Sequence, residues 1–176
     1  MAMTKEEMFG SAETAPKRHG KTPRLGVGNY LLCVARMVPV RTEETRNERD
    51  ESRVRYQAVV AEFQVLEASA GAESSAGTRA SVYFSLDAPR PWMRDARRSE
   101  RREFFERLTG EDISALDQDD LHFGGGAIGL AIRCRAVEVY NKKTGKKSEF
   151  PNYCWDQVDQ TAAEVEERRA KYGDEE

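Results

Sequence analysis

Histidine is scarce in this chain, with only His19 and His122 among 176 residues, and cysteine is limited to Cys33, Cys134 and Cys154. There is no C-x-x-C pair, and neither histidine stands at ligand spacing from a cysteine, which argues against a zinc site. No metal and no other cofactor is expected. Three widely spaced thiols, odd in number, read as reduced buried side chains of a cytoplasmic protein and not as a disulfide framework. Long apolar runs are missing too. No stretch approaches the ~18 residues of a membrane-crossing helix, and residues 1–24 lack the apolar run of a secretory signal. Finally, no charge sign dominates. The chain has 28 Lys and Arg against 31 Asp and Glu, a net charge of -3, so total charge names no polyanionic partner. A local basic groove binds phosphates whatever a distant tail carries.

What is present is a globular composition with a heavily solvated surface, 39% hydrophobic and 34% charged. Residues 1–24 are polar and read as a flexible arm. Residues 25–158 carry alternating patterns that predict strands at Tyr30–Val38, Val54–Glu67, Thr78–Leu86, Ala127–Tyr140 and Ser148–Val158. The first strand is expected to stop before Pro39, and the charge-dense stretch Arg41–Arg53 reads as a loop too polar to pack. Phe104, Phe105 and Leu108 make one apolar stripe, which predicts a helix over Ser99–Thr109 that Gly110 ends. Asp112–Leu121 is read as a short second helix. The order of three strands, a helix and two strands is the order of an OB-fold barrel, so the expected fold is mainly β, an OB-fold-like five-stranded barrel with a helix between strands 3 and 4.

Two features point to nucleic acid. Lys142, Lys143, Lys146 and Lys147 crowd the loop joining the last two strands, and ammonium groups so placed can neutralise phosphates. Exposed hairpin tips are also lysine-rich merely to shield sheet edges. The strands themselves carry Arg55, Arg79, Arg133 and Arg135 with Tyr56, Tyr83 and Trp155. Sequence-tolerant single-strand binders need cations for the backbone and flat rings for the bases. Tyr83 is the best placed ring, because Arg79, Ser81 and Ser85 share its parity; Trp155 reads equally well as core packing.

Other patterns carry less. Gly124-Gly-Gly-Ala-Ile-Gly129 matches G-x-G-x-x-G, but it opens a strand pattern and not a helix, so it is not read as a dinucleotide fingerprint. Asp112, Asp117, Asp119 and Asp120 with His122 suggest a metal-dependent nuclease site only weakly, since Asp favours caps and turns; no catalytic residues are assigned. Residues 159–176 hold seven acids against three bases. This tail, with a helix expected around Ala162–Lys171, reads either as a disordered solubilising end or as a segment that competes with phosphates or recruits basic partners.

With these segments in place, the chain resembles a family of small phage and prophage single-stranded DNA-binding proteins with an OB fold. The resemblance covers residues 25–158. It rests on Leu25-Gly-Val-Gly-Asn-Tyr-Leu-Leu-Cys-Val34, Phe63-Gln-Val-Leu-Glu67, Arg102-Glu-Phe-Phe-Glu-Arg-Leu-Thr-Gly110, Gly129-Leu-Ala-Ile132, Lys143-Thr-Gly-Lys146 and Trp155-Asp-Gln-Val158. It implies a non-catalytic accessory of phage DNA replication or recombination in the host cytoplasm. Such a protein coats single-stranded DNA and contacts replication or recombination proteins through residues 159–176; homo-oligomers stay open. The long Arg41–Arg53 loop departs from the family pattern, as does the lack of an apolar tip on the tail. The alternative is a non-catalytic protein-interaction β-barrel, a phage structural or host-inhibitory module.

Overall fold

The computed structural model describes residues 22–46, 49–86, 88, 90–148 and 150–173; most of the N-terminal arm lies outside them. Five strands, β1 (Gly28–Arg41), β2 (Tyr56–Ala68), β3 (Arg79–Ser85), β4 (Ala131–Val137) and β5 (Asn152–Gln157), form one antiparallel sheet in the order β3-β2-β1-β4-β5. Helix α1 (Pro91–Thr109) lies between β3 and β4, and helix α2 (Ala162–Tyr172) follows β5. Among the described residues no helix is long and apolar enough to cross a membrane.

β1 organises the sheet. Its first six residues pair with β4 while nearly its whole length pairs with β2, with register shifts at Leu31/Leu32, Val34/Arg36 and Val40/Arg41. Such irregularities bend a strand and raise its twist, which lets one strand serve two partners in different directions. The strand runs through Pro39, three residues beyond the expected break at Val38. Pairing with β4 ends at Cys33, so Pro39 lies where β1 is an edge strand, the position a residue without N–H tolerates.

In β2, β3 and β4 the inward faces are those the alternation marks, and β1, legible only as an apolar run, adds its own. Leu32 and Val34 of β1, Ala61, Phe63 and Val65 of β2, Ala80, Val82 and Phe84 of β3, and Ile132, Cys134 and Ala136 of β4 share one core. Helix α1 closes it with Phe104, Phe105 and Leu108. The helix begins eight residues earlier than expected. Pro91 occupies its first turn, where a missing N–H is harmless, but Pro91–Glu100 buries no side chain and so shows no stripe. Gly110, at φ 75°, ends it in the left-handed conformation.

Three other expectations need correction. Asp112–Leu121 is not one helix but two separate turns, at Ile113–Ala115 and Asp120–Gly124. β4 starts at Ala131, not at 127, because the glycine segment makes a turn in which Gly125 and Gly129 take φ of 91° and 90°. The Arg41–Arg53 loop does pack in one place: Thr45 is buried and its hydroxyl donates to the Arg55 carbonyl at 2.9 Å.

The sheet does not close on itself through a β3–β5 ladder. The two outer strands nevertheless approach each other, with the Phe84 and Trp155 rings 6.1 Å apart. At one end the segment Pro23–Leu25 fills the gap. Leu25 N donates to Ser81 O and Ser81 N to Pro23 O, each at 2.9 Å, and Tyr153 Oη of β5 donates to Leu25 O at 2.7 Å.

The acidic C-terminal segment is folded through residue 173. Thr161 and Glu164 cap α2 reciprocally. The side-chain amide of Gln160 pairs with both backbone groups of Ala131, like an extra strand residue. Arg168 donates to Gly129 O at 2.8 Å and to Gln160 Oε1, and Arg169 donates to Ile128 O at 3.1 Å. The arginines of the tail thus grip the body while Glu164, Glu166 and Glu167 are exposed. A Cβ on Gly129 would come within 2.5 Å of the Val165 carbonyl oxygen. Gly129→Ala is therefore expected to cost about 1–3 kcal/mol in backbone strain and to loosen α2. Limited proteolysis should then cut within 159–173 of the variant well before it cuts the wild type.

Candidate nucleic-acid interface

The hairpin loop between β4 and β5 is ordered by its own sequence. Asn141 N donates to Lys146 O at 2.8 Å, the Asn141 side chain accepts from Lys143 N at 2.9 Å, and Gly145 takes φ 67°. Lys142, Lys143 and Lys146 stand exposed on it and form no ion pair among the described residues. Lys147 is different. Its ammonium lies 2.7 Å from Glu138 Oε1 and 3.7 Å from Glu73 Oε1, which ties the loop to the β2–β3 connection. The hydrogen bond from Lys147, together with one from Tyr140, holds the Glu138 carboxyl below its ordinary range, and the same bond raises Lys147.

Arg133 and Arg135 project from the outer face of β4, beside a depression of about 420 Å³. Glu67 and Asp156 line the same depression, Glu67 at 4.0 Å from Arg133, so the Arg133 charge is partly offset where it stands. Arg79 donates to the carbonyl of Tyr172 at 2.9 Å, at the end of α2 where a cation is favoured. It belongs to the docking of the tail helix. Arg55 and Tyr56 lie at the opposite end of the β1–β2 hairpin. There Tyr56 packs against Phe123 with centroids 4.9 Å apart and the rings tilted by 33°, and the Arg41 guanidinium sits 6.0 Å from the Tyr56 ring. Phe123, 47% exposed, escaped the sequence reading because it falls in a one-turn element with no period.

The two remaining rings separate cleanly. Tyr83 is 43% exposed. Trp155 is 5% exposed and lies 4.7 Å from Phe104 and 6.0 Å from Phe63, centroid to centroid. An indole so enclosed has no open face for a base to stack on, and Trp155 is removed from the stacking rings. The outward face of β2 and β3 is also largely covered. Ala58, Val60, Glu62 and Ser81 are all buried, Ala58 and Val60 in a second small cluster with Val38 and Val40. Thr22 lies on this face, its hydroxyl donating to Glu62 at 3.1 Å.

The acidic cluster does not converge. Asp112 accepts from Ser114 N and Oγ, and Asp117 accepts from Asp120 N, so both acids cap their own turns; among the described residues no three His, Cys, Asp or Glu side chains gather as metal ligands would. His122 is buried against Phe105, with ring centroids 4.7 Å apart. Its Nδ1 faces the Gln118 carbonyl at 2.6 Å and so carries the proton; Nε2 is buried without a hydrogen-bond partner among the described residues. Burial lowers its pKa, the Gln118 bond opposes this, Arg101 lowers it further and Asp119 raises it. Protonation is therefore favoured in the unfolded chain. His122 contributes stability that is complete above the ordinary histidine pKa of about 6.5 and is lost as pH falls through its depressed folded value. The melting temperature of the wild type should drop between pH 7 and 5 by more than that of His122→Phe.

Comparison with known proteins assigns no family: no family model and no curated protein matches the chain.

Proposed function

We propose that this protein is a sequence-tolerant single-stranded DNA-binding module that performs no chemistry, built on an OB-type barrel open between β3 and β5. One observation carries the reading. The strand order β3-β2-β1-β4-β5, with a helix between β3 and β4, is that of a five-stranded Greek-key barrel cut at a single seam, and such partly open barrels bind oligonucleotides with the loops joining strands 1 to 2 and 4 to 5. Here the second of those loops carries Lys142, Lys143 and Lys146 exposed. The acids on the outer face of α2 would meet basic surfaces of replication or recombination proteins. The test is a fluorescence-anisotropy titration of the full chain with labelled single-stranded and duplex oligonucleotides. The reading expects single strands to bind with Kd below about 10 μM at low salt, tighter than duplex. Failure to bind at about 100 μM, the weak limit of non-specific binding, would remove it.

A second reading, a protein-interaction barrel, is favoured by the clustering of exposed apolar side chains. Tyr83, Val139 and Phe150 line one groove, and exposed apolar patches mark partner sites. It expects a partner protein, and no nucleic acid, to be retained by the immobilised chain.

A further inference from the structure

The seam between β3 and β5 is a groove of about 580 Å³, within the size range of small-ligand sites. Its floor is Phe84 and Trp155; Tyr83 and Phe150 stand at its sides, and Arg97 and Glu100 of α1 form a wall. Phe150, 51% exposed, carries the guanidinium of Arg24 over its ring, 4.0 Å from the centroid. A ring face that accepts one planar π-system accepts another, since bases stack on aromatic side chains whatever their sequence. Arg97 bonds Glu100 at 3.4 Å within the wall. Glu103 of α1 also lines the groove, so the wall has one acid in excess and turns phosphates away from the groove, while Lys142, Lys143 and Lys146 lie on the same β4–β5 connection as Phe150. The face of β2 and β3 on which such barrels commonly bind strands is largely buried here.

We infer that the β3–β5 groove is a base-binding site of this chain: one base of a single strand enters it and stacks on Phe150 in place of the Arg24 guanidinium, with the flanking phosphates on the lysines of the β4–β5 loop. The inference rests on the single-stranded DNA reading and narrows it to one place on the surface. An apolar groove would also hold a peptide; the favourable cation–π stacking already present on Phe150 and the neighbouring lysines select the nucleotide.

The test compares wild type, Phe150→Ala and Phe150→Tyr by anisotropy with a labelled oligo-dT of about 16 nucleotides, the upper site size of one such barrel. Phe150→Ala should weaken binding by about 5- to 150-fold, the value of one stacked base. Phe150→Tyr should bind like wild type, and all three should melt together. In the wild type, a bromodeoxyuridine-substituted strand irradiated in the complex should crosslink to Phe150 or Tyr153. Wild-type affinity in Phe150→Ala, or crosslinks confined to Tyr56 and Phe123, would overturn the groove while leaving DNA binding intact. No binding by the wild type would remove both.

Discussion

Replacing Lys142, Lys143 and Lys146 together by glutamine should weaken binding to oligo-dT by about 10- to 100-fold at 0.1 M salt and flatten its salt dependence. Each phosphate neutralised on a single strand contributes about 0.7 to the slope of log K against log salt. Losing three contacts should therefore reduce that slope by about 2. Affinities measured from about 50 to 300 mM salt would read the change. Lys147→Gln is the informative contrast. Lys147 is held by Glu138 and Glu73, so its loss should leave the slope almost unchanged while freeing the hairpin from the β2–β3 connection. Equal effects from Lys147 and from the exposed three would mean that the loop binds by total charge and not by the side chains it presents.

The second large effect is on stability. Trp155→Ala should cost about 3–5 kcal/mol, the usual loss for a buried large aromatic, against the 5–15 kcal/mol total of a typical domain. The indole touches Phe63, Phe84 and Phe104, from two strands and the helix, and it spans the seam that no β3–β5 ladder closes. The Pro23–Leu25 segment links the same two strands at one end, through Ser81 and Tyr153, and leaves the aromatic cluster to Trp155. Urea denaturation monitored by far-ultraviolet circular dichroism would measure the loss. A change within about 0.5 kcal/mol, as for a surface substitution, would mean that the ring is not the keystone its packing makes it.

Period and polarity made much of this fold legible in advance. The alternation at Ala80, Val82 and Phe84 gives both the strand and its inward face, and the Phe104, Phe105 and Leu108 stripe marks the one part of α1 that touches the core. The amino-terminal half of α1 left no trace because it buries no side chain fully and so shows no apolar stripe. β1 was cut short because Pro39 reads as a stop unless one knows that its outer edge is unpaired. The docked tail was hidden for a different reason. Arg168 and Arg169 look like solvated charge, and only the carbonyls of Ile128 and Gly129 beneath them make them anchors.

The interface was less legible because a strand pattern gives the parity of a side chain and not what lies over it. Trp155 and Tyr83 were ranked by the same reasoning, and only packing separates an indole at 5% exposure from a phenol at 43%. Phe150, preceded by no alternation and followed by Pro151, offered nothing to read. Its importance comes from the open seam, a property of the whole sheet.

The proposed activity is binding of single strands through cations and rings held at one side of the seam between β3 and β5. The most direct measurement is the affinity of the full chain for a single-stranded oligonucleotide and for its duplex across a salt series. Micromolar or tighter binding to the single strand is expected at low salt, weakening with a log–log slope steeper than about -2 for three phosphates, with weaker binding to the duplex. Binding that ignores salt, or favours the duplex, would contradict it.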